Sequence, residues 1–108
     1  MRLAIALALA SMVVSIVALG ACRGDPVKCD QGCRNYATLV YWKQAEAKIA
    51  AAPADQRDAV RKRHHDEFDS YLEQGLAVCV SQCQSANNTN QIECMIAAKT
   101  ADQATACQ

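Results

Sequence analysis

The chain has 108 residues, enough for one small domain. Its 11 basic and 11 acidic residues cancel, which argues against a nucleic-acid partner or a membrane surface recognised by charge. One Trp, three Tyr and one Phe are too few large apolar side chains for a deep core. A domain so poorly provided needs covalent staples, and the seven cysteines place it in an oxidising compartment rather than the cytosol.

The N-terminus carries the addressing signal. Met1-Arg2 is a minimal positive region, and Leu3 to Leu19 is an apolar run broken only by Ser11 and Ser15. Leu19-Gly20-Ala21-Cys22 follows. This stretch resembles the lipobox of bacterial lipoproteins: an aliphatic residue, two small ones, then the cysteine that takes the lipid. The resemblance implies a signal peptide over 1–21, cleavage before Cys22, and acylation of Cys22 as the first mature residue. Parity agrees, since lipidating Cys22 leaves an even set of six cysteines. More than one acyl chain, at about 0.8 kcal/mol per buried methylene, anchors a domain stably. Arg23 is not the Asp that retains enterobacterial lipoproteins in the inner membrane, which tilts sorting towards the outer membrane. Residues 22–27, with Gly24 and Pro26, read as a short polar tether ahead of a folded domain at 28–108.

From Val27 to Ala52 the chain is rich in helix formers, with one glycine and no internal proline. Positions 29, 33, 36, 40, 43 and 47 alternate steps of three and four, predicting a seam along one face. Ala52-Pro53-Ala54-Asp55 reads as a turn, and a second helix is expected from about Gln56 to Ser85. Its heptad-like seam is His65, Phe68, Leu72, Leu76, Cys79 and Cys83.

Two copies of C-x-x-x-C, Cys29 with Cys33 and Cys79 with Cys83, sit on these arms. In a helix, residues four apart share a face, with Cβ atoms about 5–6 Å apart, too far for a local disulfide at about 3.8 Å. The numbers of Cys29 and Cys83 add to 112, and so do those of Cys33 and Cys79. Antiparallel helices folded near residue 56 therefore close both pairs at once, and the same register sets Tyr41 against Tyr71. The expected fold is all-α: an antiparallel helical hairpin stapled by two disulfides, with a short C-terminal helical tail. The twin motif resembles the stapled hairpins of small Tim chaperones and α-hairpinins, which implies the architecture and no activity.

In the tail, the polar cluster from Asn87 to Asn90 ends the second arm, and Asn90 with Glu93 forms a capping-box pattern for a third helix. Thr100 with Gln103 forms another. An unbroken helix would hold Cys94 and Cys107 about 20 Å apart, so a bend near Thr100 is needed for them to pair.

No Ser-His-Asp constellation, phosphate loop or metalloprotease helix is present, so neither an enzyme nor a bound cofactor is expected. His64 and His65 diverge by about 100° on a helix and cannot both hold one metal. Arg61-Lys62-Arg63 reads as a solvated face near the hairpin tip, or as a contact to an anionic envelope polymer. The expected function is a non-enzymatic binding or structural module of the bacterial envelope, joined to the membrane by its lipid and meeting an envelope protein or polymer. The alternative is a copper- or zinc-binding lipoprotein that keeps the paired thiols reduced.

Overall fold

The computed structural model describes residues 23–108; the apolar run and the lipobox lie outside the described residues. Four α-helices follow in order: α1 (Pro26–Ala51), α2 (Arg57–Ala86), α3 (Thr89–Ala97) and α4 (Ala101–Thr105), with a 3-10 turn at Ala54–Gln56 joining α1 to α2. The protein is all-α among the described residues, with 85% of them helical and no strand.

Helix α1 starts at Pro26, which lacks the N–H that a first helical turn leaves unsatisfied anyway. Asp25 is its cap: the carboxylate accepts from Val27 N at 2.8 Å and Lys28 N at 3.3 Å. The segment read as tether thus already belongs to the folded unit from Gly24 onward, because Gly24 N donates to Gln84 O at 2.8 Å. Pro53 ends α1 by forcing Ala52 into extended backbone, φ −73° and ψ 151°. Arg57 then reaches back and donates to Ala52 O at 3.1 Å and Ala50 O at 3.4 Å, setting a cation on the negative end of α1.

Helix α2 stops at Asn87, the one non-glycine residue with positive φ (47°) among those described. Its N–H closes on Cys83 O at 3.1 Å, the left-handed cap that asparagine tolerates better than most residues. Asn88 is left extended and caps α3, accepting from Gln91 N at 3.1 Å. The capping residue is therefore Asn88 and not Asn90, since a left-handed stop at 87 lets the next helix begin at once. Thr100 caps α4 as expected, accepting from Gln103 N at 3.2 Å, while Gln103 Oε1 accepts from Lys99 N at 2.8 Å.

Helix α1 is the element against which α2, α3 and α4 all pack. The hairpin partner α2 lies along it, and the tail crosses from α3, beside Gly32, to α4, beside Lys43 and Ala47. Gly32 allows the close approach of α3: a Cβ there would stand 3.4 Å from Met95 Cβ and 3.5 Å from Ile92 O. The buried apolar residues are mostly small or sulfur-bearing, among them Cys29, Cys33, Ala45, Ile49, Leu76, Ile92, Met95, Ala98, Ala101 and Ala104. Asn35 ties the layers together by donating to Met95 O at 2.8 Å and Ala98 O at 2.9 Å, carbonyls at the C-terminal end of α3.

The seams differ from the heptad reading towards the tip. On α1 the buried residues after Cys33 are Ala45 and Ile49, while Lys43 and Ala47 are exposed. Lys43 is ion-paired with Asp102 of α4. On α2 the buried histidine is His64, and His65 is exposed. The contact residues of α2, Cys83, Cys79, Leu76, Leu72, Phe68 and His64, average nearly four residues per step, above the heptad value of 3.5. Such a spacing makes the contact line slip round the helix in the sense opposite to a heptad seam.

Candidate functional site

The base of the hairpin is closed by Cys29–Cys83, with Cα atoms 5.7 Å apart, and Cys33–Cys79, with Cα atoms 6.0 Å apart. Both bridges are the pairs that antiparallel register demands. Cys29 and Cys33 are each 1% exposed, so these sulfurs are shielded from solvent thiols on the α1 side. Cys94–Cys107 closes the tail over a separation of 13 residues, and here Cys94 is exposed. The break at Ala98 to Thr100 supplies the bend that this pair needs. Among the described residues no group of three His, Cys, Asp or Glu side chains is placed to hold a metal ion. No helix of the described residues is long and apolar enough to cross a membrane.

The middle of the hairpin is organised by Tyr41. Its ring lies 4.8 Å from Tyr71, 5.1 Å from Phe68 and 5.4 Å from Trp42. Its hydroxyl donates to His64 O at 2.9 Å and lies 3.2 Å from His64 Nδ1. One phenolic proton serves one acceptor, so both contacts are satisfied together when the histidine proton sits on Nδ1. Burial, helped by the nearby Glu67 carboxylate, pushes the Tyr41 hydroxyl pKa up. His65 faces outward yet packs against Trp42 in a tilted arrangement, with ring centroids 4.5 Å apart. The two histidines therefore have separate packing roles and diverge as adjacent helical residues must.

The basic run near the tip is largely answered from within. Arg61 pairs with Glu46 at 2.6 Å and Lys62 with Asp66 at 2.6 Å. At the base, Asp30 accepts from Arg34 Nε at 2.8 Å, and that bond raises the guanidinium pKa further. The tip is thus closer to a solvated, self-paired face than to an open cationic patch.

A different feature was not drawn from the sequence. A groove of about 470 Å³ opens between α1 and α2, walled by Tyr36 and Tyr71, and reaches Gln82 and Gln108. A second, of about 220 Å³, continues past Gln82 and Gln108 to Gln91, over Ile92 and Met95. Neither is lined by a charged side chain. The signal was present in the sequence, because residues 74–92 contain no Asp, Glu, Lys, Arg or His in a chain that is 20% charged. With this geometry in place, comparison with known proteins adds no relative: no family model, no curated protein and no solved structure matches the chain.

Proposed function

We propose that the protein is an exported bacterial lipoprotein, anchored through acylated Cys22, that serves as a non-enzymatic binding or structural module of the cell envelope. One observation carries the reading. Every cysteine from residue 29 onward is engaged in an internal bridge, which makes Cys22 the odd one by count. Three disulfides suit an oxidising compartment, and the resemblance of Leu19 to Cys22 to a lipobox explains the seventh cysteine. Gly24, bonded to Gln84, ties the start of the described chain to the stapled base, so a lipid on Cys22 would anchor the hairpin at that end.

The test is Cys22→Ala in the native envelope. Palmitate labelling should disappear and a larger, unprocessed precursor accumulate. Unchanged mobility and detergent partitioning would sink the lipoprotein reading. Crosslinking in intact envelopes examines the binding role: a specific protein or polymer should be captured, and repeated failure to capture one argues for a purely structural element. The metal alternative requires reduced thiols at positions that are bridged here. Elemental analysis of anaerobically purified protein should therefore find no stoichiometric copper or zinc that Cys79→Ser removes.

A further inference from the structure

We infer that the furrow along α2, from Tyr71 past Gln82 to the α3 face, is a binding site for an uncharged oligosaccharide. The inference deepens the envelope-module reading and rests on it only for where such a polymer would be met.

Shape comes first. The two grooves share Cys79, Gln82 and Gln108, so they form one elongated depression. Along α2 it runs from Tyr71 to Ala86, which at 1.5 Å per residue is about 22 Å. That is the outline of a chain molecule laid flat, not of a compact ligand. Its floor is held by the Cys33–Cys79 bridge, whose two cysteines line the first groove. A site fixed in this way loses little freedom on binding.

Chemistry narrows the occupant. Tyr71 is 45% exposed, and the Tyr41 ring supports it from behind at 4.8 Å. Tyr71 and Tyr36 present aromatic surface suited to the C–H face of a sugar ring, apolar on the face with polar groups at the rim. The side-chain amides of Gln82, Gln91 and Gln108 make no hydrogen bond to any described residue. An amide offers both donors and an acceptor, which matches hydroxyl groups that do both. An anionic ligand would find no Lys, Arg or His side chain along the furrow to pair with. An acyl chain would leave these amides unused, whereas sugar hydroxyls can pair with them.

Gly75 fits the same use. A Cβ there would meet nothing within 4 Å, so packing does not require glycine. Glycine in a helix interior weakens the helix; here its effect is to leave the groove wide and its wall bare.

The experiment titrates the full-length protein, purified from envelopes into nanodiscs, with tetra-N-acetylchitotetraose and cellotetraose, read by calorimetry. Tetragalacturonate serves as the charged control and decanol as the acyl control. At least one neutral tetrasaccharide should bind saturably. Gly75→Leu, which projects a side chain into open space, should weaken binding at least tenfold with helix content unchanged. Tyr71→Ala should do the same, and Arg63→Ala at the tip should change nothing. The proposal is overturned if neither neutral tetrasaccharide binds at about 1 mM, the edge of specific affinity. It is equally overturned if binding ignores both furrow variants, if tetragalacturonate or decanol competes for the furrow, or if the furrow instead pairs two copies, seen as self-association that Gly75→Leu abolishes. Palmitate labelling is scored on the same preparations, so loss of the anchor and loss of sugar binding are read separately.

Discussion

The two halves of the hairpin are held by different physics. At the base, residues 29–33 and 79–83 are joined by two disulfides, and the tail lays Ile92 and Met95 against Gly32. Beyond Tyr41 no covalent link joins the arms. There the contacts are the Tyr41 cluster, the buried Ala45, Ile49 and His64, one exposed ion pair between Glu46 and Arg61, and Arg57 on the last carbonyls of α1. Few large side chains are buried there, α4 reaches only as far as Lys43 and Ala47, and an exposed ion pair contributes only about 0–1 kcal/mol. The difference shows how a chain with few large apolar residues is stabilised: by bridges where side chains are small, and by one aromatic cluster where they are not.

Removing a staple should give the largest effect. Because Cys29–Cys83 still closes the hairpin, the Cys33→Ser, Cys79→Ser pair frees only the short ring between the two bridges and should lower stability by about 3 kcal/mol, read from the urea midpoint. Loss of both base bridges should leave the arms without stable register. A loss below about 1 kcal/mol for the single bridge would mean that the aromatic cluster, not the base, governs the fold. The tail bridge should also part from the base bridges under graded reductant, because Cys94 is exposed whereas Cys29 and Cys33 are buried. Mass spectrometry after thiol trapping should find Cys94 and Cys107 labelled first.

Asn35→Ala strips the last carbonyls of α3 of their donor and should cost about 1–3 kcal/mol. Proteolysis after Lys99 should quicken, while cleavage near Arg61 to Arg63 at the tip stays as it was. Tyr41→Phe keeps the ring and deletes its hydrogen bonds, for about 1 kcal/mol. It carries a pH signature as well. The folded-state pKa of Tyr41 is raised, so its contribution is complete below the ordinary tyrosine value of about 10 and is lost as pH rises through the higher folded value. Alkaline destabilisation should therefore be shallower in Tyr41→Phe than in the parent. Amide exchange near Tyr41 and His64 should quicken in this variant with little change at the stapled base.

The smallest effect has the opposite sign. Gly75→Ala adds a methyl group to open space and should stabilise α2 by about 0.5–1 kcal/mol. A destabilisation would mean that the glycine serves the fold rather than the furrow.

Much of this architecture was legible because its determinants are local or countable. Cysteines four apart cannot bridge within a helix, and only an antiparallel register lets the pairs summing to 112 close together. Pro53 marked the turn, and Thr100 with Gln103 marked the last helix, through chemistry confined to a few neighbouring residues. Where the sequence reading went astray, the deciding quantity was a relation between elements. His64 rather than His65 is buried, and Ala45 with Ile49 rather than Lys43 with Ala47, because the helices do not wind round each other with heptad spacing. Asn35 became the clasp of α3 only through the placing of that helix beside Gly32. Residue spacing determined which cysteines pair; the path of one helix across another, which no local pattern encodes, decided which faces meet and where a furrow remains open.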